Sequence, residues 1–159
     1  MVIDKKFKGL VKEDFRYVFN GDIETTESLE VDLDMGLFVT GSIKAGRDIE
    51  AGGSIEAGGS IEAGESIEAG GSYGIVAGLS ITCKGTLSFG VKAFAGICSW
   101  KEVTEEEKTI TCGKLEGGVV EYGILKETGL EEDRKIELSM DEIAQKFGVA
   151  VKDLKIKKD

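Results

Sequence analysis

The sequence predicts an all-β parallel β-solenoid, a triangular β-helix of about 18 residues per coil, followed by a small C-terminal β/α appendage. Three observations predict it. From Gly41 to Gly71 the chain repeats Ser-Ile-Glu-Ala-Gly-Gly every six residues. Such a short period is the signature of a stacked repeat architecture. Ile43, Ile49, Ile55, Ile61 and Ile67 are each followed two places later by Ala45, Ala51, Ala57, Ala63 or Ala69. Residues two apart on a strand share a face, so each hexad is a short strand with Ile and Ala inward, Ser and Glu outward, and a glycine pair at the corner. Finally, the two replacements of a corner glycine, Arg47 and Glu65, carry opposite charge, as do Lys44 and Glu62. If three hexads close one coil, each pair stacks on neighbouring rungs, where opposite charges help by a few tenths of a kcal/mol. Glu50 over Glu68 breaks this pattern.

The chain divides into an N-terminal cap (1–20), the solenoid (21–100), and C-terminal strands with a helix (101–159) that cap it or join it to another copy. Phe7, Leu10, Val11, Phe15 and Val18 give the first segment the apolar content to cover an open coil, whose unpaired edge otherwise invites aggregation. Residues 21–40 read as degenerate coils. Ile23 and Leu29 keep the six-residue step, Val31/Leu33 and Leu37/Val39 already share the later phase, and a two-residue insertion between the two phases is expected as a bulge or loop at a corner. Eighteen-residue columns are expected at Ile43/Ile61/Leu79/Ile97, at Leu37/Ile55/Tyr73/Val91 and at Val31/Ile49/Ile67. In residues 72–99 Ile75, Ile81 and Leu87 fall on the alanine phase, and with Phe89 and Phe94 they imply a wider core. Lys101–Lys108 is a charged turn. Thr109–Cys112, Val119–Leu125 and Lys135–Leu138 read as strands of a small sheet or hairpin. Ser139 and Glu142 form a capping box for a helix whose apolar face is Ile143, Ala144 and Phe147, with Gly148 as its C-cap.

The 159 residues suffice for one modest domain with an appendage, and 23 glycines, far above the usual ~7%, mostly belong to the repeat. Proline is absent. A net charge of −10 argues against a nucleic-acid or anionic-membrane surface and favours a basic protein partner. Residues 1–21 lack the apolar core of a signal peptide, and no stretch reaches the ~20 apolar residues of a membrane span, so a cytoplasmic protein is expected.

Chemistry is constrained by what the composition lacks. There is no histidine, which removes histidine-based triads, histidine general bases and most zinc sites. Cys83, Cys98 and Cys112 contain no CxxC pair and read as small core residues. The repeated outward glutamates offer no difference in environment that would separate an acid from a base. No catalytic residue, cofactor or metal is therefore expected. Trp100 and Tyr122, outside the repeat, are read as core or interface anchors, core being the simpler reading. The candidate interaction surface is the glutamate array Glu50, Glu56, Glu62, Glu65 and Glu68.

The tract SIEAGGSIEAGGSIEAG followed by SYGIVAGLSITCKG resembles small hexapeptide-repeat β-helix proteins of Gram-positive prophages and mobile elements. More distantly the chain resembles bactofilins, bacterial β-helices that polymerise end to end. The tail segment EIAQKFGVAVKDLK is similar to the helix pair of a LysM module and to the first half of a helix-turn-helix, although a packed cap is a simpler reading than either. The first resemblance implies a phage or mobile-element setting and no established activity. Together with the charge it leads to the expectation of a non-enzymatic, self-associating protein, a dimer, that binds a basic host protein, for example as a nucleic-acid-mimicking inhibitor of a host nuclease or defence system. The alternative is a bactofilin-like scaffold.

Overall fold

In a computed structural model, described here for residues 1–129, the chain winds through three sheets that form the sides of a triangular parallel solenoid. Sheet A has six strands: Val2–Ile3, Leu29–Val31, Ile49–Ala51, Ile67–Ala69, Thr86–Ser88 and Lys114–Glu116. Sheet B has seven: Leu10–Lys12, Arg16–Phe19, Gly36–Val39, Ile55–Ala57, Ile75–Ala77, Lys92–Ala95 and Val119–Tyr122. Sheet C has six: Ile23–Thr25, Ile43–Ala45, Ile61–Ala63, Ile81–Cys83, Thr109–Cys112 and Ile124–Glu127. Each turn runs B, C, A. All pairings are parallel except that of Leu10–Lys12 with Arg16–Phe19, a hairpin at the N-terminal end. The helix expected at 139–148 and the strand at 135–138 lie outside the described residues.

The core follows from the hexad. Ile43, Ile49, Ile55, Ile61 and Ile67 are fully buried, and the alanines two places on are nearly so. Each such isoleucine contributes about 1.5–3 kcal/mol by leaving water. The repeat continues through identical neighbours because a parallel, in-register stack places each residue over its own kind.

The coil length is 18 residues only in part. Ile43 over Ile61, Ile49 over Ile67 and Leu37 over Ile55 hold that spacing. Ile61, however, stacks under Ile81 and not Leu79, and Ile55 under Ile75 and not Tyr73, a spacing of 20. Leu29, not Val31, lies beneath Ile49. Two corners between sheets A and B account for this, each two residues longer than the hexad. The one at 32–35 comes after Val31, one strand later than the insertion expected between Leu29 and Val31, and it turns Leu33 into the core. The second, at 70–74, is unannounced by the repeat. It resets the phase, so Ile75, Ile81 and Leu87 occupy the isoleucine positions again, and the core here is not widened by them. Ala77, Cys83, Ala93 and Ala95 keep it slim. Tyr73, Val91 and Ile97, expected in the columns, are exposed, and Phe94 points outward beside Val76.

One residue does enlarge the core. Phe89 follows the strand Thr86–Ser88 and takes the alanine position above Ala69; it is 2% exposed. The next coil accommodates it with Gly117 and Gly118, both at positive φ, where β-carbons would overlap the Phe89 carbonyl or ring. Beyond it, Thr109–Cys112, Lys114–Glu116, Val119–Tyr122 and Ile124–Glu127 do not form a separate hairpin. They extend the three sheets in parallel, because Ile110, Leu115 and Val120 restore the inward aliphatic position.

Candidate functional site

The strands place every second side chain outward, so each sheet presents one column to solvent, and the three columns differ in chemistry. On sheet A the column is Val2, Glu30, Glu50, Glu68, Ser88 and Glu116. Glu30, Glu50 and Glu68 are in direct register, about 4.8 Å apart as parallel neighbours, and among the described residues none has an ion-pair partner. Like charges so placed repel one another. Together with Asp32 and Leu33 of the long corner they line a recess of about 290 Å³.

Sheet C alternates. Its column is Glu24, Lys44, Glu62, Thr82, Thr111 and Lys126. Lys44 pairs with Glu62 at 3.8 Å, and at the corner Arg47 Nε donates to Glu65 Oε1 at 3.2 Å, as the opposite charges at 18-residue spacing predict. Exposed pairs of this kind contribute about 0–1 kcal/mol.

Sheet B is apolar. Its column begins at Val18, itself buried, and continues through Phe38, Glu56, Val76, Phe94 and Tyr122. Glu56 is the exception, and Arg16 holds it at 3.3 Å while its guanidinium lies over the Phe38 ring at 4.4 Å. One rim of the sheet carries Tyr73, Val91 and Val119, linked by backbone hydrogen bonds from Val91 N–H to the Tyr73 carbonyl and from Val119 N–H to the Val91 carbonyl. At the other rim the chain leaves the solenoid between Ala95 and Thr109. This excursion includes the expected charged turn, fastened by the Lys101–Glu107 pair, and presents Ile97 and Trp100. Trp100 is 68% exposed and Tyr122 49%, so neither is core. Phe38, Val76, Ile97, Cys98 and Trp100 border a groove of about 300 Å³. Phe15, 89% exposed, sits at the tip of the N-terminal hairpin on the same side.

The five glutamates singled out in the sequence are thus distributed over the whole prism. Glu50 and Glu68 share sheet A, Glu62 is on sheet C, Glu56 on sheet B, and Glu65 at a corner. Only the first two stand together, and the structure adds Glu30 to them through the 20-residue step, which an 18-residue ruler misses. Cys83 and Cys112 take the alanine positions on neighbouring strands of sheet C. Burial pushes the Cys83 thiol up to about 12, with Cys112 beside it adding to the shift, and burial likewise raises Cys112 to about 11. Among the described residues no three cysteine, aspartate or glutamate side chains converge as a metal site requires. No helix there is long and apolar enough to cross a membrane.

Comparison of the chain with protein-family models, curated proteins and solved structures finds no match. The three faces therefore carry the functional reading on their own chemistry.

Proposed function

We propose that the protein is a non-enzymatic interaction protein whose sheet A engages a basic surface of another protein. The observation that supports this reading is the unpaired ladder Glu30, Glu50 and Glu68 around the 290 Å³ recess. Three mutually repelling carboxylates gain most from a partner that brings lysine or arginine between them, and a rigid sheet holds them ready without an ordering cost. The ladder offers one charge per ~4.8 Å of axis, comparable to one phosphate per about 3.4 Å along a strand of duplex DNA. A host protein with a nucleic-acid groove, such as a nuclease or defence factor, is the partner that this spacing and the resemblance to prophage hexapeptide-repeat proteins favour. The setting would then be the cytoplasm of a bacterial host.

The test is affinity capture from a Gram-positive lysate with the native chain and with E30Q/E50Q/E68Q, at low and high salt. Charge steering predicts that basic proteins are captured at low salt, lost at high salt, and bound about tenfold more slowly or worse by the triple variant. Equal capture by both chains at both salts would overturn the reading.

The alternative, a scaffold that grows through its coil ends, is disfavoured at the N-terminal end, where the antiparallel strand Leu10–Lys12 interrupts the parallel stacking of sheet B.

A further inference from the structure

We propose that sheet B is the face through which two copies of this chain meet, independently of what sheet A binds. Among the described residues, the exposed aromatics are confined to it. Phe15, Tyr73, Trp100 and Tyr122 lie on this sheet or its rims, with Phe38 and Phe94 half-buried between them. Exposed apolar surface so concentrated on one rigid face marks an interaction site, and tryptophan and tyrosine are the residues that anchor such sites.

Charge identifies the occupant. Two chains that each carry −10 repel wherever unpaired carboxylates face one another. Sheet A is closed to a second copy for that reason, whereas the outward column of sheet B carries one acid, Glu56, which Arg16 holds at 3.3 Å, and Glu121 nearby is held by Lys92 at 2.9 Å. Arg16 is shared with Glu13 at 3.1 Å, so the excess negative charge of this face lies at the hairpin end, which an antiparallel arrangement keeps away from its counterpart in the other copy. A basic partner gains little from such a face, and an identical face loses little against it. A two-fold arrangement also suits the layout, because it makes an interface of one patch with itself. Antiparallel packing about the level of Glu56 and Val76 sets the Arg16/Phe38 end of one copy against the Phe94/Tyr122 end of the other. Seven strands at ~4.8 Å make the sheet about 29 Å tall, and strands of three or four residues with their rims are roughly 15 Å wide. The footprint of about 400 Å² per copy is half the ~800 Å² of a standard interface. The dimer is accordingly weak, of micromolar affinity or lower.

The full chain supplies its own probe, since Trp100 is its single tryptophan. Light scattering and tryptophan emission are followed over a concentration series. The expected result is a mass that rises from 17.0 kDa towards twice that value while the emission shifts to shorter wavelength. Added salt should strengthen the association by screening the net charge, opposite in sign to its effect on sheet A binding. F94S should raise the dissociation constant at least tenfold, as should W100S, which lies outside the stacked strands and serves as a second variant followed by mass alone. E50Q should leave it unchanged. A mass fixed at 17.0 kDa, open-ended growth, or a dimer indifferent to both variants would overturn the proposal. So would blue-shifted emission from a monomer at every concentration, because the face would then be covered by the chain's own residues.

Discussion

A β-carbon placed on Gly64 would overlap the carbonyl oxygen of Gly46 in the coil below, and one on Gly58 or Gly78 would meet Thr40 or Gly58 in the same way. These corner glycines have ordinary negative φ. Their role is close approach between stacked corners, not left-handed turning. Gly52 is the informative exception. It sits above the long corner at 32–35, and its nearest neighbour there, the Leu33 oxygen, is 3.9 Å from the position of a β-carbon. Gly64→Ala should therefore destabilise by about 1–3 kcal/mol or more, as overpacking does. Gly52→Ala should be neutral or stabilise by a few tenths through the unfolded chain. Urea unfolding midpoints of the two variants check the contrast. The serines carry a similar lesson. Ser60 N–H donates to Ser42 Oγ at 3.1 Å, Ser66 N–H to Asp48 Oδ1 at 3.0 Å, and Thr86 N–H to Ser66 Oγ at 3.1 Å. They form a rung-to-rung ladder, where the hexad pattern alone marks them only as outward.

The N-terminal segment shows how an element is fastened to a repeat it does not share. Lys5 Nζ donates to Asp34 Oδ2 at 2.9 Å and Tyr17 Oη to Asp34 Oδ1 at 3.0 Å, so the long corner at 32–35 clamps the first strands. The hydrogen bond from Lys5, then that from Tyr17, holds the Asp34 carboxyl below its ordinary value. The sign follows: a depressed carboxylate stabilises the fold above its unfolded pKa of about 3.9, and that contribution is lost as the pH falls through the folded value. Hydrogen exchange in residues 2–19 should consequently accelerate as the pH is lowered below about 4, beyond the intrinsic pH dependence, while the strands Ile43–Ala45 to Ile67–Ala69 stay protected. In D34N this acid-dependent loosening should be absent, with the segment already less protected at neutral pH. That two residues are added near this corner is legible in the sequence as a break in phase, but the aliphatic Val31 and Leu33 place the break before Val31, one strand too early. The twin corner at 70–74 is not legible, because Gly-Gly-Ser-Tyr-Gly continues the glycine–serine texture of the hexads and Ile75 takes the alanine phase. Texture reports composition, and only register reveals that two residues have been added.

At the scale of the molecule, the solenoid is legible because its pattern and its packing are the same fact: an aliphatic every sixth residue is an aliphatic in every strand. The faces are less so. Which outward residues share a side depends on coil length, and a shift of two residues moves Glu30 under Glu50 and carries Val76 and Phe94 onto sheet B with Phe38. Trp100 and Tyr122 read as core because large aromatics usually are, and here they border a face that the described chain leaves uncovered. The resulting division of labour, acidic on sheet A and apolar on sheet B, lets the two proposed contacts respond oppositely to salt.

The near-identity of the hexads also bears on how the chain finds its shape. Strands that read IEA are interchangeable, so a coil begun one hexad early or late buries the same isoleucines and alanines. A purely repetitive tract would collect misthreaded windings of almost equal energy. Arg47 meets Glu65 only in the native winding, since a slip of six residues sets it beside Gly59 or Gly71; Lys44 meets a glutamate in either slip, Glu56 or Glu68, and does not mark the register. In E65G, which perfects the repeat, stability should change by no more than the ~1 kcal/mol of an exposed pair. Refolding should nonetheless become slower and multiphasic in stopped-flow traces. The irregularities of the tract would then act as page numbers in a book whose pages are otherwise the same.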